Sequence, residues 1–310
     1  VSRRRAGRVL AVLALAGAGA VATGVPARAA PAAGCARPTG VYARDVPWPQ
    51  RLFDPARIWP LTRGQGVLVA VLGTGVDPGN AQFGPGQVRD GRTVPAGPGA
   101  GTALADCDGR GTFAAGIIAA RPDPASTFAG LAPGADLLAV QYTQATTNGG
   151  GEASPDQIAA AITAALPSRP GVICVVVPAT ADSSALRAAV AAAVAADVVV
   201  VSPVPSGAGS RAAGTVSYPA AEPGVLAVGA VGPDGTPVAG QGGAGVLVAA
   251  PGAGLVGTAA GTRGAAGHVW PVDDPVFAAA YVAGTAALVR GYRPELTARQ
   301  VISRIERTAG

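Results

Sequence analysis

Lysine is absent from this chain: all 23 basic residues among 310 are arginine. Any chemistry that needs a lysine base, such as a Ser-Lys dyad, is thereby excluded. Histidine is almost as scarce. Its single copy, His268, stands in the stretch "RGAAGHVW" and is expected in a surface loop, outside any catalytic constellation. An excess of positive charge is also missing once the start of the chain is set aside. The formal charge of +5 comes from 23 basic and 18 acidic residues, but Arg3, Arg4, Arg5, Arg8 and Arg28 lie in an acid-free opening segment; 23 minus 5 leaves 18 against 18. A basic surface for nucleic acid is therefore not indicated.

Apolar residues make up 49% of the sequence, enough for one large core. The opening "VSRRRAGRVLAVLALAGAGAVATGVPARAA" combines an arginine cluster, an apolar run from Val9 to Val25 and small residues around Ala27-Arg28-Ala29. This is the pattern of an export signal over residues 1–29, so the mature chain is expected outside the cytoplasm, extracellular or associated with the cell envelope. A retained membrane anchor fits less well, because glycine and alanine dilute the run and a small-x-small site follows it. Arg4-Arg5 is followed by Ala6, where a twin-arginine signal carries a bulky apolar residue.

Three cysteines in an exported chain allow one bridge and one thiol. Cys174 stands inside "VICVVV", a strand pattern in which a free cysteine behaves as a small hydrophobe. Cys35 is accordingly paired with Cys107. Lipidation of Cys35 would call for a leucine three residues earlier, where Ala32 stands.

Near-continuous apolar runs at 66–73, 136–142, 172–177, 198–202 and 225–231 have strand length and the composition of parallel strands covered on both faces. Helical patterns lie between them. "GTFAAGIIAA" follows Arg110, and "SPDQIAAAITAAL" and "DSSALRAAVAAAVAAD" open on capping residues. Asp274 as N-cap, Pro275 at the first helical position and Gly291 as stop frame another helix. Thr297 and Gln300 form a capping box for the last one. The alternation predicts a three-layer α/β domain with a mostly parallel sheet and right-handed crossovers. Clusters of glycine and proline at 84–101 and 232–267 are expected to be surface loops.

Four of these segments resemble the subtilisin-like serine proteases, and among them the mycosins associated with type VII secretion. "VLVAVLGTGVD" is similar to the strand that delivers the catalytic Asp, and "DCDGRGTFAAGIIAA" to the segment that carries the catalytic His. "VVVVSPVPSG" is similar to the approach to the oxyanion Asn, and "DPVFAAAYVAGTAALVR" to the helix that carries the nucleophilic Ser. The segment from Cys35 to Val67 resembles the mycosin N-terminal extension, whose cysteine bridges to the one in the His segment. The resemblance implies the subtilisin-like fold over residues 61–310, preceded by an extension over 30–60 that a disulfide ties down.

The motif positions run 73, 110 and 276, separated by 37 and 166 residues, with the nucleophile position late in the chain at a helix start. Their occupants are not those of the family. Gly73 stands at the Asp position, Arg110 at the His position, Val276 at the Ser position and Ser206 at the oxyanion Asn position. A valine side chain offers no nucleophilic atom. Guanidinium stays protonated and cannot act as a general base. The resemblance thus implies an inactive homologue that scaffolds type VII secretion membrane components or docks peptide segments; residual endopeptidase activity and a gene product without function are the alternatives. Mycosins commonly carry a C-terminal transmembrane helix, and none is expected within residues 1–310. Arg110 in a cleft calls for a carboxylate; Asp77, Asp106, Asp108 and Asp274 are candidates, and Asp274 is the expected partner.

"VAVLGTG" also has the look of a dinucleotide-binding turn. The third glycine of that motif is Pro78, however, and no helical pattern comes after it to receive a pyrophosphate. "GAGLVG" at 252–257 fails in the same way. No small-molecule cofactor and no metal is expected.

Overall fold

The computed structural model describes residues 1, 35–94, 101–144, 153–204, 216–238 and 245–309. Residues 2–29 of the expected export signal lie outside them. Seven strands, β1 (Leu68–Gly73), β2 (Val88–Thr93), β3 (Asp136–Gln141), β4 (Val172–Val175), β5 (Val199–Pro203), β6 (Val225–Val231) and β7 (Val248–Pro251), form one sheet in the order β2-β3-β1-β4-β5-β6-β7. Every pairing in it is parallel. A separate antiparallel ribbon joins β8 (Leu255–Thr258) to β9 (His268–Val272).

The interior strands are apolar along their whole length because both of their faces are covered. Every residue of β4 and of β5 is buried, as parallel strands beneath helices require. Short helices α1 (Trp48–Phe53) and α2 (Pro55–Ile58) precede the sheet, and the main helices are α3 (Arg110–Ala119), α4 (Pro155–Ala165), α5 (Ser184–Ala195), α6 (Ala278–Tyr292) and α7 (Ala298–Thr308). Helices α3 and α6 pack on each other and on the sheet, while α4 and α5 pair with each other against it. Alanine-rich faces make this close packing possible: Ala278, Ala279, Ala280, Ala283, Ala286 and Ala287 of α6 are all buried.

The capping chemistry is where the side chains place it. Ser154 and Gln157 form a capping box on α4, Thr297 and Gln300 do the same on α7, and the Ser183 hydroxyl accepts the Leu186 amide. Asp274 caps through the Val276 amide at 3.1 Å, but the element it opens is a single 3-10 turn, Pro275–Phe277, before α6 begins. Gly291 lies inside the last turn of α6 rather than beyond it. A Cβ there would stand 2.9 Å from the Gly64 backbone, so its role is close packing.

Three expectations need correction. The stretch 84–101 holds β2, an edge strand whose sequence VRDGRT is largely exposed and so shows no apolar run. The stretch 232–267 holds β7 and β8, four residues each, whose shortness among glycines hides them. His268 is not on the surface: it opens β9 and is completely buried.

Its burial has a use. The His268 Nδ1 accepts the Tyr42 amide at 3.0 Å, so Nε2 carries the proton and donates to Gln82 Oε1 at 2.6 Å. Backbone bonds from Thr39 to the His268 carbonyl (2.8 Å) and from His268 to the Gly40 carbonyl (2.7 Å) complete the junction. The N-terminal extension is held at further points by Trp48, whose indole donates to the Ala253 carbonyl at 2.9 Å, and by Phe53, stacked on Tyr281.

Candidate functional site

The C-terminal end of β1 runs directly against the first turn of α3. Thr74 Oγ1 accepts the Gly111 amide at 2.9 Å, and the Gly75 carbonyl lies where a Cβ on residue 111 would be, 1.8 Å away. Only glycine fits there. Thr112 locks the same corner from the other side. Its hydroxyl accepts the Asp77 amide (2.9 Å) and donates to Asp106 (2.6 Å), and its carbonyl accepts from Thr258 of β8 (2.7 Å).

Asp106 caps this helix. Its carboxylate accepts the amides of Gly109 (2.8 Å) and Thr112 (2.7 Å), satisfying donors that a helix start leaves open. Burial raises the Asp106 pKa, and the bonds to Thr112 and Gly109 oppose that rise. Next to it Cys107 is disulfide-bonded to Cys35, with the Ala36 amide on the Cys107 carbonyl at 2.8 Å. Cys174 is a free, buried thiol that burial pushes up to about 12.

Arg110 is thereby held at a fixed place, and its partner is Asp108. Nε donates to Oδ1 at 2.7 Å and Nη2 to Oδ2 at 3.3 Å, a two-pronged pair with the carboxylate almost fully covered. The expected bond to Asp274 is not made. Asp274 is committed to the Val276 amide, whereas Asp108 is two residues from Arg110 and also accepts its backbone amide at 3.3 Å. Burial works against the Arg110 charge, but the bond and charge of Asp108, together with the fields of Asp274 and Tyr142, hold the guanidinium above its ordinary pKa. Asp274 itself is raised by burial, against the Val276 amide and Arg110.

Val276 is half-buried, packed against the main core, and its neighbour Phe277 lies on Phe113 with ring centres 4.3 Å apart. Gly73 is buried, and its carbonyl accepts the Tyr142 amide at 3.0 Å. A Cβ on residue 73 would stand 3.0 Å from the Cβ of Val176. Tyr142 is buried too, bonded through its hydroxyl to the Val177 backbone, and burial raises its pKa. Ser206 lies outside the described residues. Among the described residues no group of three or more His, Cys, Asp or Glu side chains is placed to hold a metal ion, and no helix is long and apolar enough to cross a membrane.

The structure thus brings the segments of Gly73, Arg110 and Val276 near one another: Thr74 bonds Gly111, and Arg110 and Asp274 line the same cavity. Asp108 stands among the four candidate carboxylates without being singled out, and Val176 beside Gly73 does not stand out in the sequence. Only Asp108 leaves a signal there, its position two residues before Arg110.

A parallel sheet with these segments gathered beside the end of β1 is the subtilisin-like α/β architecture. The chain belongs to the Subtilase family, whose profile matches residues 64–310. It is similar to Mycosin-1 of Mycobacterium tuberculosis, 34% identical over 333 residues that cover 89% of this chain and 71% of that one. Among solved structures it resembles MycP1, a serine protease and essential component of the type VII (ESX-1) secretion system. The TM-score is 0.70 at 31% identity, over 87% of this chain and 85% of the other. It also resembles a chain of the periplasmic assembly from the ESX-5 inner membrane complex, with a TM-score of 0.71 at 27% identity over 88% and 82% of the two chains.

Proposed function

We propose that this chain is an exported, non-hydrolytic mycosin homologue that works by binding, holding peptide segments or envelope components of a type VII secretion system. The observation that carries the reading is the set of occupants at one cleft. By the motif resemblance, Gly73, Arg110 and Val276 take the positions at which an acyl-transfer site needs an orienting anion, a base and a nucleophile. Each occupant also has another task. Arg110 closes an ion pair with Asp108, Val276 packs on the core, and Val176 takes the space beside Gly73.

The likeness to a component of the ESX-5 assembly favours a partner in that apparatus. The Cys35–Cys107 disulfide supports folding in an oxidising compartment. The test is to incubate the purified chain with a mixed peptide digest and follow both mass and binding. The expected result is retention of a subset of peptides with every mass unchanged. New fragments produced by homogeneous protein would overturn the non-hydrolytic reading.

A further inference from the structure

Residues 37–46 of the N-terminal extension form a strap against the start of β9. All of them except Gly40 and Tyr42 are exposed, so burial adds little to its hold. The grip is mostly hydrogen bonds, and they converge on one residue. The Thr39 amide donates to the His268 carbonyl at 2.8 Å, the His268 amide to the Gly40 carbonyl at 2.7 Å, and the Tyr42 amide to His268 Nδ1 at 3.0 Å. The loop after α3 supplies the rest: Ser126 Oγ donates to the Tyr42 carbonyl and Thr127 Oγ1 to the Arg44 carbonyl, both at 2.8 Å. Both ends of the strap are pinned separately, by the Cys35–Cys107 bridge and by Trp48 on the Ala253 carbonyl.

The imidazole has no way to accommodate a second proton in place. Gln82 Nε2 donates to the Arg121 and Phe128 carbonyls, each at 2.8 Å, which leaves Gln82 Oε1 to accept from His268 Nε2 at 2.6 Å. Nδ1 is therefore the bare nitrogen under the Tyr42 amide. An imidazolium donates from both nitrogens, so a proton on Nδ1 sets two N–H groups head to head and this bond is lost. The charged groups on the surrounding elements leave that choice to the ring. Asp77 accepts the Gly79 and Gly261 amides, Arg44 lies over Trp270, and Arg37, Asp45, Arg121 and Arg263 are exposed. The charge whose field reaches His268 is Asp123, and it favours the proton.

We propose that His268 is a proton-operated latch on the strap: a proton taken from solvent at Nδ1 expels the Tyr42 amide, and residues 37–46 swing out between their two anchors while the sheet stays folded. The direction follows from linkage. Burial lowers the pKa of the closed form to about 4, whereas a ring released to water returns to about 6.5, so acid favours the open form. From pH 7.5 to pH 5 the open population rises about 30-fold.

Hydrogen exchange of the full chain at those two pH values, corrected for the intrinsic amide rate, reads that population. The Thr39 and Tyr42 amides are expected to be about a hundredfold less protected than β4 at both, the mark of an opening of their own, and to lose about 30-fold more protection at pH 5. In His268→Gln, whose neutral carboxamide can accept the Tyr42 amide at either pH, that loss should vanish. Strap amides as protected as β4, protection indifferent to pH, or the same loss in His268→Gln overturns the latch. A second measurement does not need that variant to fold. His268 is the single histidine, so its ring gives one NMR signal, and Tyr42→Pro removes the latched N–H. By reciprocity the ring in Tyr42→Pro is expected to take its proton at an acid concentration at least tenfold lower than in the native chain. An unchanged titration would show that the strap does not hold the ring neutral, and would overturn the proposal.

Discussion

Val176 occupies the space that a side chain on residue 73 would need: its Cβ stands 3.0 Å from the Cβ position built on Gly73. Placing an aspartate at 73 therefore forces Val176 or the backbone to move. Gly73→Asp is expected to destabilise the fold by about 1–3 kcal/mol through overpacking in a buried place. Val176→Ala should relieve part of that, so the double variant is more stable than the sum of the singles predicts, by about 1 kcal/mol. Urea denaturation of the four proteins measures the coupling. Strict additivity would show that the two positions do not compete for space.

Arg110 and Asp108 should couple in the same kind of cycle, and Arg110 and Asp274 much less. Replacing Arg110 with Gln leaves the covered Asp108 carboxylate without its cation, at a cost of about 1–3 kcal/mol. Asp274→Ala removes a cap and costs about 1 kcal/mol whether or not Arg110 is present. A larger coupling for the Asp274 pair than for the Asp108 pair would contradict the assignment.

His268 gives the fold an acid-sensitive joint. Burial lowers its pKa from 6.5 to about 4, with Asp123 pulling weakly the other way. The unfolded chain therefore binds a proton that the folded chain refuses between those values. Stability from this residue is complete above pH 6.5 and declines as pH falls toward 4, by about 3 kcal/mol over the window. Protonated His268 can no longer accept the Tyr42 amide. Thermal melts from pH 7 to 4 on the native chain and on His268→Gln should differ, with the variant lacking this part of the decline.

Loss of the Cys35–Cys107 bridge frees a span of 72 residues in the unfolded chain. The chain-entropy relation gives about 4 kcal/mol for that loop. Cys35→Ser with Cys107→Ser should lower the denaturation midpoint accordingly and loosen the Ala36 contact to the Cys107 carbonyl, which hydrogen exchange at Ala36 reports.

The sheet's interior is legible in the sequence because burial on both faces writes an unbroken apolar run, as in Val172–Val175. Its edges are not. Val88–Thr93 pairs on one side only and keeps the polar sequence of an exposed strand. Helix starts are largely legible because capping is local, so Ser154, Asp274 and Thr297 can be placed, while the α5 cap falls on Ser183, one residue after the Asp182 that opens the pattern. His268 reads as a surface residue because its surroundings come from Tyr42 and Gln82, 226 and 186 residues away, while its neighbours in sequence are loop-like. The motif order places Gly73, Arg110 and Val276 at one cleft, yet the Arg110 partner depends on what Asp274 is already bonded to. No pattern in the chain records that.

The most direct measurement is labelling with a fluorophosphonate probe, which reacts only with an activated serine. The unmodified chain is expected to remain unlabelled, and the revertant Gly73→Asp, Arg110→His, Val276→Ser, with Val176→Ala added for room, to gain label at residue 276. Labelling of the unmodified chain at any serine, coupled to a peptidase activity that the label abolishes, would contradict the account.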